Sequence, residues 1–433
     1  MARAGLALRE PEAAPRAGER GAGRPPRIAL YGLFGIESFG NEGSLEAMIA
    51  TLRRLSPDAE LVCVCGNPEQ VVRDHGIGGA RIRTPGFSRR WARAADKLLF
   101  RVPRAVENVV GTLWRSRRYD ILVLPGGGML EDYCDRPTGE PLSLFLWCLG
   151  ARMAGKRIAF VSVGAGPMRN PVSRKLMTAS ARMATYRSFR DHGARDFMRR
   201  VGVDVSRDEV FPDIAYGLSA PEQDPGRQAG GGLTVAVGAM LYEGYYPSWV
   251  ARRGGAADGA TRDGAILDRY LSEMATFVLW LIGEGHRVRM ITGQTTDWRA
   301  VEQLLAIIRS RGLEPGERLI AEPVSSLQGV MDQIARSDVV IATRYHNLIC
   351  SLKLGKPTIG VNYSGKNAAL MADAGFPDLC QDVEKLDADL LARQFSAVIA
   401  DREDVERRID QGNAVIARRL AEQEAILAAR VLS

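Results

Sequence analysis

Four residues in the last quarter of this 433-residue chain have the types and spacing to do chemistry on an anion. Arg344, His346 and Asn347 follow the apolar run Val339, Val340, Ile341 and precede a helical apolar pattern at Leu348, Ile349, Leu352 and Leu354. That order puts them at a strand-to-helix turn. Open α/β sheets carry their ligands outside the carboxyl ends of the strands, and a helix start adds free N–H groups and the positive end of its dipole. An arginine there forks onto a carboxylate or phosphate, and a histidine supplies a proton-transfer group. The next strand, Thr358 to Asn362, delivers Tyr363, Ser364 and the fourth residue, Lys366, to the same edge.

A matching set of strand ends lies in the first half. The strand Ile28 to Phe34 runs into a glycine-rich turn holding Asn41, Gly43 and Ser44, and an amphipathic helix from about Leu45 to Leu55 follows. The turn lacks the GxGxxG spacing of a dinucleotide site. Its glycines serve either the close approach of a ligand or a tight turn. Strand Ile121 to Leu124 ends in Pro125 and the triplet Gly126, Gly127, Gly128, which leaves backbone N–H groups open to a ligand. Glu131 and Asp132 are the first carboxylates beyond it, and Asp132 is the preferred functional candidate, against a helix cap or surface charge. Strand Arg157 to Val163 ends in Gly164 to Pro167, and the short strand Tyr186 to Arg190 ends on an arginine that again has the geometry to bind an anion.

These residues need elements to position them, and the pattern supplies alternating strands and helices in two halves. Residues 1–26, rich in Ala, Arg, Gly, Pro and Glu, read as a disordered tail or an overcalled start. Residues 27–219 form one Rossmann-like half and 233–400 the other, joined by the Pro/Gly-rich linker 220–232, with a C-terminal helix over 401–433. The expected fold is α/β, two doubly wound parallel sheets facing a cleft. A long loop, Met240 to Gly264, carries Tyr242, Tyr245, Tyr246 and Trp249, rings suited to stacking on a sugar face.

Composition narrows the partners. Charged residues make up 25% and hydrophobic ones 46%, the balance of a folded soluble protein. The net charge of +7 is not accompanied by basic residues interleaved with aromatics on one element, so nucleic acid is not expected. Residues Arg89 to Arg118 form a basic, partly helical stretch that suits a solvated face or a peripheral membrane contact. Six cysteines show no zinc spacing, and neither a metal site, a P-loop nor a nucleophile elbow is evident. No run reaches the roughly 20 apolar residues of a membrane span, and the N-terminus lacks a secretory core segment, so a cytoplasmic setting, at most at the inner membrane face, is expected. Oligomeric state is not legible.

Read in order, IALYGLFGIESFGNEGS, LVLPGGGMLED, FVSVGAGP, YRSFRDHGA, VFPDIAYGL and ATRYHNLICSLKLGKPTIGVNYSGKN resemble the polysaccharide pyruvyl transferase family over about Arg27 to Phe376. The resemblance implies a two-domain fold like that of GT-B glycosyltransferases. It also implies transfer of the enolpyruvyl unit of phosphoenolpyruvate to a sugar, forming a pyruvate ketal and releasing phosphate, with no cofactor. Arg190, Arg344 and His346 match the residues expected to hold and activate phosphoenolpyruvate. Tyr345 and Lys366 are counted in the same site, and Asn41, Gly43, Gly126, Gly127, Gly128 and Asp132 form the acceptor side of the cleft. The acceptor is a glycan or a lipid-linked or nucleotide-linked sugar. Ser44 departs from the family, where many relatives carry aspartate. Two other readings stay open: a nucleotide-sugar glycosyltransferase or epimerase of the same architecture, and a catalytically silent anion-binding protein.

Overall fold

The computed structural model describes residues 24–36, 38–83, 102–132, 135–221, 232–242, 257–312 and 316–433. The N-terminal tail to residue 23, most of the linker, the aromatic loop from residue 243 to 256 and the basic stretch from 84 to 101 lie outside the described residues.

The first half contains strands β1 Arg27–Tyr31, β2 Glu60–Cys65, β3 Gly78–Arg81, β4 Ile121–Pro125, β5 Arg157–Val163, β6 Tyr186–Phe189 and β7 Glu209–Val210. Its helices are α1 Phe39–Leu55, α2 Pro68–His75, α3 Val102–Ser116, α4 Glu140–Met153, α5 Pro171–Met183 and α6 His192–Arg200. The second half adds β8 Thr234–Gly238, β9 Arg287–Ile291, β10 Leu319–Ala321, β11 Val339–Ala342, β12 Thr358–Asn362 and β13 Cys380–Asp382. With them come α7 Ala257–Gly283, α8 Trp298–Ser310, α9 Leu327–Ala335, α10 Tyr345–Lys353, α11 Lys366–Asp373, α12 Ala388–Ala400 and α13 Arg402–Leu427. The short strands β3, β7 and β13 escape the sequence pattern because two to four residues are too few to display a period.

Both sheets are parallel. The strand order is 3-2-1-4-5-6-7 in the first and 10-9-8-11-12-13 in the second, so each reverses direction beside its central strand, between β1 and β4 and between β8 and β11. Gly126 follows one of these switch points and Arg344 the other. The strands are apolar along their length, Ile121–Pro125 and Val339–Ala342 being buried at every residue, because helices cover both faces.

Helix α1 begins six residues before the position expected from periodicity, so Gly40, Asn41 and Gly43 form its first turns rather than a loop. Tertiary packing overrides the poor helix propensity of glycine here. A Cβ on Gly40 would lie 1.9 Å from Nδ1 of His346, and one on Gly43 would lie 2.3 Å from Leu327. The missing side chains let the second half sit directly against α1. Phe39 and Ala47 accordingly share one apolar cluster with Leu327, Tyr345 and Leu348.

The C-terminal helix α13 crosses back between the halves. Val405 and Ile409 pack into the shared cluster, whereas Leu427 and Val431 enter the core of the first half beside Ile28 and Leu30. Buried Gln423 reaches β5 and β6, donating to Oγ of Ser162 and Ser188, each at 2.9 Å. Ser162 has φ of +48°, at a point where the β5–β6 register shifts. Its backbone N–H donates to Ser188 Oγ at 2.9 Å. Among the described residues no helix is long and apolar enough to cross a membrane. The five described cysteines are all free.

Candidate active site

The carboxyl end of β11 is locked by buried amides. Asn347 Nδ2 donates to Thr292 O at 3.2 Å, and Asn367 Nδ2 donates to the carbonyls of Thr343 and Val361, both at 2.7 Å. These bonds join β9, β11 and β12 at their ends and fix where α10 and α11 start. Neither helix has a side-chain cap: Arg344 precedes α10 in extended conformation, and Gly365, with φ of +76°, precedes α11. Two uncapped helix starts thus converge, each with its positive dipole end.

Arg344 turns away from the other cations. Its guanidinium forks onto fully buried Asp297, Nε to Oδ2 at 2.9 Å and Nη2 to Oδ1 at 2.5 Å. Asp297 also accepts from the backbone N–H groups of Leu241 and Gly293 at 3.1 and 3.2 Å. Burial disfavours the cation, but Asp297 and then Tyr363 outweigh it and hold the Arg344 pKa above the ordinary value. One flank of the cleft therefore presents a fixed arginine already tied to a carboxylate.

On the other flank, elements of both halves meet. Arg190, at the end of β6, donates from Nη1 to Asp213 Oδ2 at 3.1 Å and lies 4.5 Å from the ring centroid of Tyr345. Asp213, 1% exposed in its side chain, keeps its other oxygen on the N–H of Ala215 at 3.0 Å. His346 packs edge-on to Tyr345, with ring centroids 5.4 Å apart, and its Nε2 points at Asp213 Oδ2 from 4.0 Å. That nitrogen is buried without a hydrogen-bond partner. Burial pushes the His346 pKa down to about 4; Asp213 opposes the shift, while Arg190 and Lys366 reinforce it. At pH 7 the imidazole is neutral.

Lys366 crosses the cleft to Glu131, Nζ to Oε2 at 2.5 Å. Burial lowers the lysine pKa against the pull of Glu131. The Glu131 carboxyl lies where a Cβ on Gly166 would come within 3.0 Å, so the glycine makes room for it. Asp132 turns instead to the backbone N–H of Asn170, at 3.0 Å, and ties the glycine-triplet loop to the start of α5. The triplet is bound to the neighbouring turn, with Gly164 N–H donating to Gly127 O at 2.7 Å. Gly126 and Gly127 have φ of +57° and +64°, which demands glycine. Asn41 Nδ2 donates to Leu33 O at 3.1 Å. Ser44 Oγ donates to Gly40 O at 3.0 Å, and a Cβ on Gly126 would come within 3.0 Å of that hydroxyl, so the glycine keeps the triplet close to α1.

A cavity of about 520 Å³ opens beside this cluster, lined by Arg190, Tyr345, Ser364 and Lys366 and rimmed by Arg169 and Arg200. Of the residues singled out from sequence, Arg190, Tyr345 and Lys366 reach the cavity, and His346 lies behind them against Asp213 and Gly40. Arg344 occupies the opposite flank. Gly43, Gly126 and Asp132 shape the walls from inside. The sequence reading passed over Asp213, Asp297 and the functional side of Glu131. Asp213 had a usable signal, a lone acid directly after a strand and a proline; Asp297 had none, because its partner lies 47 residues away. No three His, Cys, Asp or Glu among the described residues converge on a metal-sized site.

Comparison with known proteins bears on this geometry. A family model described as polysaccharide pyruvyl transferase matches residues 39–365. The amylovoran biosynthesis protein AmsJ of Erwinia amylovora is 26% identical over 115 residues, 26% of this chain and 25% of AmsJ. The match thus spans about a quarter of that relative's length. Among solved structures, UDP-GlcNAc 2-epimerase from Neisseria meningitidis bound to UDP-GlcNAc superimposes with a TM-score of 0.54 at 10% identity, covering 92% of this chain and 99% of the epimerase. A glycosyltransferase from Rickettsia africae ESF-5 gives 0.53 at 10% identity, covering 93% and 99%. The lipopolysaccharide outer core galactosyltransferase WaaB gives 0.51 at 15%, covering 92% and 98%. At these identities the likeness is one of fold, two Rossmann-like domains about a cleft in the GT-B manner.

Proposed function

Because this chain belongs to the polysaccharide pyruvyl transferase family, we propose that its cleft transfers the enolpyruvyl unit of phosphoenolpyruvate to a sugar and closes it to a ketal on two hydroxyls. The observation that carries the reading is the cluster Arg190, Tyr345, His346 and Lys366, assembled from both halves around buried Asp213. Phosphoenolpyruvate brings a carboxylate and a phosphate, about three negative charges in all, to a wall of cations and helix starts. Arg190 and Lys366 take these oxygens. As Lys366 turns to phosphate, it gives up its ion pair with Glu131. No cofactor enters the scheme.

The first step is protonation of the methylene carbon. The C2–C3 π pair takes a proton from His346, leaving C2 with oxocarbenium character. A sugar hydroxyl attacks C2 and gives its proton back to the imidazole. The second hydroxyl then displaces phosphate as the C2–O bond breaks, and its proton leaves with the phosphate. One hydroxyl proton thus ends on the new methyl group and the other on phosphate. For His346 to act as an acid, the anion must first raise its pKa, which the negative charge does by offsetting Arg190 and Lys366. Arg344, held by Asp297, orients the start of α10.

The acceptor is a sugar of a polysaccharide or of its lipid-linked or nucleotide-linked precursor. Incubation with phosphoenolpyruvate and such acceptors, read as phosphate release and a pyruvyl mass increment, tests the proposal. Protection from thermal unfolding by phosphoenolpyruvate is expected. Protection by UDP-sugars alone, with no phosphate release from phosphoenolpyruvate, would instead assign nucleotide-sugar chemistry. His346→Gln and Arg190→Lys should each lower kcat/KM by about a hundredfold or more with folding intact.

A further inference from the structure

Helix α3 is amphipathic the wrong way round for a helix facing water. Its polar Thr112 and Ser116 are buried, 1% and 2% exposed, against α4, where Gly150 lets Ser116 and Leu113 approach closely. Its outward face repeats every fourth residue with Val106, Val110 and Trp114, 55%, 60% and 50% exposed. That spacing lines them up in one stripe. The Arg118 guanidinium lies 3.7 Å from the Trp114 ring centroid, and Arg117 is exposed beside it. From Arg89 to Arg118 the sequence holds nine Lys and Arg against two acidic residues, an excess equal to the net +7 of the entire chain.

We propose that the outer face of α3 docks on an anionic bilayer surface. Valines and a tryptophan suit the depth of the headgroup boundary, and arginines beside them suit anionic lipid. The helix leads into β4 and runs antiparallel to it, so its Val102 end lies at the carboxyl edge of the first sheet, the edge that carries Gly126 and Arg190. A chain seated on α3 therefore turns one side of its cleft toward the membrane. Charge decides for a bilayer over a second copy of the chain, because two such faces would bring arginines together.

The full chain is floated with vesicles of phosphatidylcholine alone or with about one third phosphatidylglycerol. The expected result is binding to the anionic vesicles that weakens as salt is raised. Val106→Ser/Val110→Ser/Trp114→Ser should lower that partition about tenfold or more with an unchanged unfolding midpoint. Arg117→Gln/Arg118→Gln, which leaves the apolar stripe intact, should lower it roughly fivefold per arginine on anionic vesicles only. Equal binding by wild type and both variants, no binding by wild type, or a wild-type dimer that the triple substitution dissociates would each overturn the proposal. Vesicle binding is read without turnover, so it stands apart from pyruvyl transfer.

Discussion

His346 is the residue whose chemistry depends most on its surroundings. Its folded-state pKa of about 4 lies below the 6.5 of the exposed side chain. Between those values the unfolded chain binds the extra proton, so the stability contributed by neutral, buried His346 is full above about pH 6.5 and is lost as the pH falls through about 4. The amount is on the order of 3 kcal/mol. Urea unfolding of wild type and His346→Gln at about pH 7.5 and about pH 5 should show the acid loss shrinking in the variant; equal losses would mean that His346 is not buried as a neutral group. The same depression predicts that phosphoenolpyruvate binds with proton uptake near pH 7. Calorimetry in buffers of different ionisation enthalpy measures it, and uptake absent from wild type would remove His346 from the role of acid.

At the scale of elements, the start of α1 and the start of α10 are one unit. Gly40 is where they touch, and its Cα lies against the His346 ring rather than in an open turn. Gly40→Ala adds one methyl group that the ring cannot accommodate in place, while alanine itself favours the helix. Activity should fall about a hundredfold or more while the unfolding midpoint in urea moves little, since the imidazole has to leave its position opposite Asp213. Activity near wild type would show that the ring position is not what the glycine protects. Sequence reading took the glycines of this turn as serving either the close approach of a ligand or a tight turn, whereas Gly40 packs against another part of the same chain. Periodicity could not reveal this, because the pair is separated by more than 300 positions.

Across the whole molecule, α13 belongs to both halves. Its first turns pack on the second half, and its last turns, with Gln423 and Leu427, complete the first together with Val431 in the turn that follows. Arg157 Nη1 donates to Val431 O at 2.8 Å, and Thr51 Oγ1 donates to Glu424 at 3.3 Å. Gln423→Ala leaves the hydroxyls of Ser162 and Ser188 without their buried partner at a residue with positive φ, and should cost about 1–3 kcal/mol. Leu427→Ala should cost about 2–5 kcal/mol by leaving a cavity under α1. Chemical denaturation of both variants checks these figures; losses near zero would show that the helix end is not part of the core.

The class of fold was legible in the residue order, because the apolar runs of parallel strands and the amphipathic helices between them are local patterns written in consecutive residues. The same order showed that Arg190, Arg344, His346 and Lys366 stand at strand ends, since each follows such a run. Which of them meet depends on how the two halves fold together. Arg190 and Lys366 reach one cavity, and Arg344 turns to Asp297 on the far flank. Glu131 rather than its neighbour Asp132 faces the lysine, because Asp132 is taken up by the backbone N–H of Asn170 at the start of α5. The neutrality of His346 is likewise a property of the assembled molecule. Burial and the charges of Asp213, Arg190 and Lys366 set it. Asp213 and Arg190 come from the first half and meet His346 only where the two halves pack, whereas Lys366 follows the strand next to β11.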